Sequence, residues 1–167
     1  MRPYTVVFST ETVDGRIADP TGFSRLSCQE DFELLHRLRA WADAVMVGAG
    51  TVLVDDPSLT VRLAVGRSPL RVVLDGELRT PPKAKVFEVP GRSALVTRRG
   101  HPEDRLRPYR ERGVIVLEVG DQDGVNLVEA MEALYDALGV RRLLVEGGGK
   151  TTYSMLREGL VDELWVT

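Results

Sequence analysis

Residues 44–62 read AVMVGAGTVLVDDPSLTVR, and this stretch decides the fold class. Ala44–Val47 is a short continuous apolar run, the pattern of a strand buried on both faces. It leads straight into Gly48-Ala49-Gly50, where the backbone can turn tightly and approach a ligand closely. Thr51 then sets a hydroxyl at a helix start, Asp55 and Asp56 follow as adjacent carboxylates, Pro57 stops the helix, and Arg62 adds a cation. Flexible backbone, hydroxyl, acid and cation at one strand exit suit an anionic ligand. An ordinary strand, turn and capped helix would use many of the same residues, since a lone glycine turn is weak evidence.

Outward from this stretch, apolar runs alternate with helical periodicity, which predicts an α/β fold on a mostly parallel sheet. The strand candidates are Tyr4–Phe8, Ala44–Val47, Arg71–Leu74, Ala94–Thr97, Val114–Glu118, Arg142–Glu146 and Glu163–Val166. A helix is expected from Cys28 to Trp41, with Ser27 and Glu30 as a capping box and Phe32, Leu35, Leu38 and Trp41 at helical spacing. A second opens at Asn126 with Glu129 three residues on, buries Leu127, Met131, Leu134 and Leu138, and ends at Gly139. A third follows Gly147-Gly148-Gly149 and stops near Gly159. His101–Arg112 reads as a polar, exposed helix. Val161–Thr167 looks like a core strand that simply stops, which predicts an edge strand or a truncated chain.

Composition narrows the function classes. The 167 residues, read as one domain over 1–167, are enough for a substantial core, and 43% hydrophobic with 28% charged residues is ordinary for a globular protein. A net charge of −3 with mixed signs leaves no basic footprint for nucleic acid. No apolar run nears the roughly 20 residues of a membrane span, and no signal-peptide core follows Met1, so a cytoplasmic setting is expected. Cys28 is the single cysteine and His36 and His101 lie far apart, so no metal site is expected.

A second glycine element, Glu146-Gly147-Gly148-Gly149-Lys150-Thr151, again joins a strand to a helix. Such a junction turns free N–H groups and the positive end of a helix dipole toward an anion. A P-loop is excluded because the glycine it needs is Leu144, and a Rossmann fingerprint is excluded because its third glycine is Leu53. Two strand-exit glycine turns remain, and in an open α/β sheet these line the crevice where nucleotides bind. Glu146 ends an apolar strand, where a carboxylate is costly to bury without a partner. Arg39 and Arg62 are candidates to hold a phosphate with bidentate hydrogen bonds.

These motifs converge. Thr12–Ala18, Arg25-Leu26-Ser27, His36–Arg39, Ala42-Asp43-Ala44, Gly48–Val52, Asp55–Arg62, Arg71–Asp75, Glu146–Gly149 and Leu160–Glu163 together closely resemble the pyrimidine reductases of riboflavin biosynthesis, in a stand-alone archaeal or fungal form without its last strands. The resemblance implies a three-layer dihydrofolate-reductase-like fold and NADPH-dependent reduction of a ribosylaminopyrimidine 5′-phosphate to its ribityl counterpart. It further implies cofactor contacts from Thr51, Asp55 and Gly147, Gly148, Gly149, Lys150 and Thr151. Arg39, Leu59 and Arg62 would hold the substrate, the arginines at its phosphate. Glu146 would lie near the ribose or pyrimidine, and Ser27 would border both ligands. Glu146, Asp55 and Arg16 are the implied catalytic set, and a homodimer is expected.

Two positions depart from the family pattern. Arg16 stands where Lys is frequent, and arginine holds its proton too tightly to donate it, so it reads as an electrostatic partner. Gly76 stands where Ser often meets the 2′-phosphate of NADPH, which leaves Arg79 to compensate. Two rivals stay open: a dihydrofolate-reductase-like reductase for another heterocycle, without the phosphate clamp, and a non-catalytic nucleotide-binding domain.

Overall fold

In the computed structural model, which describes residues 1–20 and 26–167, seven strands join one sheet in the order β5-β4-β3-β2-β6-β1-β7. The strands are β1 Tyr4–Ser9, β2 Ala44–Gly48, β3 Leu70–Leu74, β4 Ser93–Arg98, β5 Ile115–Val119, β6 Arg142–Val145 and β7 Glu163–Val166. Every pairing is parallel. Six helices cover the faces: α1 Gln29–Trp41, α2 Ala49–Asp55, α3 Lys85–Glu88, α4 Glu103–Arg110, α5 Leu127–Asp136 and α6 Gly149–Arg157. The α/β expectation and all seven strands hold, with ends shifted by a residue or so, as strand ends commonly are.

Both faces of the sheet are covered, which explains why its strands read as unbroken apolar runs. On β2, Val45 and Val47 face one cluster with Val52 of α2, Leu38 of α1, Val86 and Phe87 of α3, and Leu106 and Tyr109 of α4. Ala44 and Met46 face the other, with Leu127, Ala130, Met131 and Leu134 of α5 and Met155 of α6. Burying the Leu127, Met131 and Leu134 side chains contributes about 1.5–3 kcal/mol each.

Local signals fare unevenly. Asn126 caps α5 as expected, its side chain accepting from the Glu129 N–H at 3.0 Å. The Ser27–Glu30 capping box does not form. Cys28 is the N-cap without a side-chain hydrogen bond, and the Ser27 hydroxyl instead meets that of Thr10 at 3.0 Å. The helix expected to be exposed at His101–Arg112 buries Leu106 and Tyr109 and donates the Tyr109 hydroxyl to the Thr80 carbonyl. Two apolar residues a turn apart were hidden among seven charged ones. The short helix α3 carried no sequence signal.

Candidate active site

Because all strands are parallel, their C-terminal ends share one edge of the sheet. β2 and β6 are neighbours there, yet their outgoing helices take opposite faces, α2 with one core cluster and α6 with the other. Two adjacent strands whose connections diverge open a crevice at their carboxyl ends. The two glycine turns meet in it. Gly48 N–H donates to the Gly147 carbonyl at 3.3 Å. A Cβ at Gly48 would lie 2.4 Å from Thr151 Oγ1, and one at Gly148 would lie 3.1 Å from Thr51 Oγ1. Gly148, at φ 77, is the N-cap of α6 and offers no side chain to its first-turn N–H groups. Those groups are therefore left for a ligand. The loop carrying Arg16 borders the same place, since a Cβ at Gly149 would touch Ile17 Cδ1 at 3.4 Å. Arg16 itself pairs with Asp14 at 2.9 Å in the open.

Glu146 follows β6 with its side chain only 8% exposed. Its partner is Arg39. Nε and Nη2 of the guanidinium donate to the two carboxylate oxygens at 2.6 Å each, and Nη1 donates to the Thr60 carbonyl at 3.0 Å. Burial alone would lower the Arg39 pKa, but the charge and hydrogen bonds of Glu146 outweigh it and hold the arginine above its ordinary value. Arg39 and Arg62 line the same cleft, but Nε and Nη2 of Arg39 are turned to Glu146.

This cleft, of about 390 Å³, also takes in Ser58, Leu59, Asp56 and Lys85. Arg62 Nη1 donates to Ser58 Oγ at 2.7 Å. Lys85 Nζ stands 3.5 Å from Asp56 Oδ2, and the Lys85 N–H donates to Asp56 Oδ1 at 2.8 Å. Asp56 and Leu59 both have positive φ, 39° and 53°. Left-handed backbone at a leucine is uncommon and needs its surroundings to hold it. The Leu59 side chain does so by burying in the core.

His36 secures the far side of this loop. Its buried ring accepts the Arg62 N–H at Nδ1 over 2.9 Å, with the Leu63 N–H at 3.4 Å. Burial, and then the charges of Arg39 and Arg62, lower its pKa to about 4, so the ring is neutral and Nδ1 can accept. A second polar group sits at the exit of β1. Thr10 donates to Asp31 Oδ2 at 2.7 Å and meets Ser27 and Thr167, while the buried Asp31 Oδ1 has no hydrogen-bond partner among the described residues. Burial raises the Asp31 pKa, but hydrogen bonds from Thr10, Thr167 and Ser27 more than offset it.

The remaining expected residues are near but apart. Asp55 ends α2 on an exposed turn. Gly76 follows β3, where a Cβ would press on Val125 Cγ2 at 3.2 Å, and its carbonyl meets His101 Nε2 at 2.7 Å. Arg79 is exposed, 3.9 Å from buried Asp75. Arg25 lies outside the described residues. Sequence reading missed Lys85, His36 and Asp31. A histidine and an acid on the same helix, three and eight residues before Arg39, were the signal for the last two. Among the described residues no group of acidic, histidine or cysteine side chains is arranged to hold a metal, and no helix is long and apolar enough to cross a membrane.

The profile of the RibD C-terminal domain matches residues 3–167. The chain belongs to this family. It is 41% identical over 169 residues to the 2,5-diamino-6-ribosylamino-4(3H)-pyrimidinone 5′-phosphate reductase of Methanothermobacter thermautotrophicus, covering 99% of this chain and 77% of that one. A protein of the same name from Archaeoglobus fulgidus is 40% identical, with 98% and 78% covered. Among solved structures, RibD of Acinetobacter baumannii superposes with a TM-score of 0.83 at 27% identity, over 99% of this chain and 46% of its own. A Thermotoga maritima deaminase/reductase gives 0.76 at 31% identity, over 94% and 42%. The chain thus spans less than half of these two solved proteins. The family's reductase domains share the dihydrofolate-reductase-like fold.

Proposed function

We propose that this chain reduces the ribosyl group of a ribosylaminopyrimidine 5′-phosphate to ribityl with NADPH, in the riboflavin pathway. The observation that carries the reading is the junction of the two glycine turns, with a cationic cleft on the same edge of the sheet. The turns suit a dinucleotide, because Gly48 and Gly148 let the two strand exits pack closely against Thr151 and Thr51, and the start of α6 beside them carries no side-chain cap on the N–H groups that a pyrophosphate would meet. Gly147–Thr151 would hold that pyrophosphate, Thr51 and Asp55 would flank the cofactor, and Gly76 with Arg79 would meet its adenosine end. When bound, the nicotinamide supplies the hydride.

The chain's own residues then have chiefly to align and to exclude water. Arg62, Ser58 and Lys85 take the substrate's 5′-phosphate, against the fixed backbone at Leu59. Arg39 leaves each Glu146 oxygen a lone pair free, so the carboxylate accepts hydrogen bonds from a ribose hydroxyl or a pyrimidine amine. Ser27 borders both ligands. Arg16, on the loop against Gly149, is an electrostatic partner. The pyrimidine is either the diamino form or its deaminated counterpart, and the diamino form is favoured because the archaeal relatives carry its name. The reading includes a cytoplasmic homodimer, which sedimentation tests.

The test is to mix the chain with NADPH and either pyrimidine phosphate and follow the absorbance of the reduced nicotinamide. Oxidation that needs the 5′-phosphate supports the assignment, and none with either substrate removes it. Gly148→Val should abolish NADPH binding in a folded protein, and unchanged affinity would remove the cofactor from the glycine turns.

A further inference from the structure

A cavity of about 540 Å³ lies at the opposite edge of the sheet, below the N-terminal ends of β2, β3 and β6. Ala42, Leu70 and Val140 give it a buried apolar floor. Three arginines, Arg67, Arg92 and Arg142, stand around it, with Asp43 as the one carboxylate.

The arginines are not equivalent. Arg142 is committed, since its Nη2 donates to Asp43 Oδ1 at 2.9 Å and its guanidinium lies 5.5 Å from the Trp41 ring centroid. Arg67 and Arg92 have exposed side chains with no hydrogen bond or ion pair among the described residues. Arginines at this edge could serve only to neutralise the carbonyl ends of α1 and α5. For α5 that task is already filled, because Arg141 donates to the Tyr135 carbonyl at 2.7 Å. Once Asp43 is set against Arg142, two positive charges remain beside an apolar floor.

We propose that this cavity is a second ligand site, separate from the crevice, which takes a small phosphate monoester on an apolar or planar body. Two uncompensated guanidinium groups match the dianionic phosphate, each able to donate two parallel hydrogen bonds. The Ala42, Leu70 and Val140 floor receives the body. The inference uses neither cofactor nor substrate, so it stands or falls independently of the proposed reaction.

The probes are phenyl phosphate and inorganic phosphate, titrated into the whole chain with backbone amide shifts read by NMR. Phenyl phosphate should shift Arg67, Ser68, Gly139 and Arg142 saturably, bind more tightly than inorganic phosphate, and do both equally well in Arg62→Ala. The double variant Arg67→Ala with Arg92→Ala should weaken it by about tenfold or more. Both side chains are exposed, and the single Gln variants repeat the test if the double variant loses amide dispersion. Shifts confined to Ser58–Arg62 that vanish in Arg62→Ala would overturn the proposal. Equal affinity in wild type and double variant, or no saturation, would overturn it too.

Discussion

Arg39 and Arg62 lie on adjoining parts of the same edge and look interchangeable in the sequence, yet the fold gives them opposite circumstances. Arg39 is 7% exposed and has three hydrogen bonds, two of them to Glu146. Arg62 is exposed, and among the described residues its side chain has one bond, to a serine hydroxyl. A buried pair of this kind is committed to the structure, because separating it would strand a charge out of water. An exposed guanidinium beside a lysine keeps its donors for a ligand. The difference teaches that an arginine's neighbours, more than its place in a motif, decide whether it builds the site or binds in it.

The comparison breaks first, and most visibly, at Arg39. Arg39→Ala should cost about 3–5 kcal/mol of unfolding free energy, because Glu146 is left buried and unpaired. Urea denaturation measures it. A loss under about 1 kcal/mol would mean that Arg39 is as free as Arg62.

His36 joins the two regions and gives the next effect. Its pKa is about 4 in the fold against 6.5 when unperturbed, so the unfolded chain binds more protons between those values. Stability from this group is complete above pH 6.5 and falls as pH drops toward 4, by roughly 3 kcal/mol. His36→Asn should flatten that part of the pH profile, and by releasing the Arg62 N–H it should raise the substrate KM more than it lowers kcat. An unchanged slope would show that His36 does not hold the loop.

Arg62 itself sharpens the contrast on the ligand side. Charge-assisted bonds are worth about 1.5–3 kcal/mol, so Arg62→Ala should raise the substrate KM about ten- to a hundredfold with little change in melting. Arg62→Lys should recover part of this, since a point charge cannot reproduce the fork. Equal damage with phosphorylated and dephosphorylated substrates would make Arg62 structural. The smallest effect belongs to Lys85, whose exposed ammonium is a screened point charge. Lys85→Ala should raise KM by less than about tenfold, and its effect should shrink as salt is added.

Much of this was legible without coordinates. Strands such as Ala44–Val47 are continuous apolar runs because both faces are covered, and that burial leaves its mark in composition. Asn126 and Glu129 announced a helix start because a cap is a local contact over three residues. Ser27 and Glu30 made the same announcement and misled, since the Ser27 hydroxyl found Thr10 instead. The need of Glu146 for a partner could be argued from its strand alone. That the partner was Arg39, 107 residues away in sequence, could not. Lys85 enters the cleft from α3, a four-residue helix too short to show periodicity. In sequence His36 is only one of two distant histidines and part of the His36–Arg39 block, and the path of the loop above it gives its ring nitrogen a role.

The strand order has a consequence for how the chain acquires its shape. β1 is made first, but both its neighbours come late: Val7 pairs with Val145 of β6 and with Leu164 of β7. Until those residues arrive, the apolar β1 has neither edge bonded and no permanent place in the sheet. β2 through β5, by contrast, add side by side in the order of synthesis. Contacts that close such long loops slow folding. Assembly should therefore begin at the β2–β5 half and finish when the first strand threads between two of the last, which is also the step that completes the crevice.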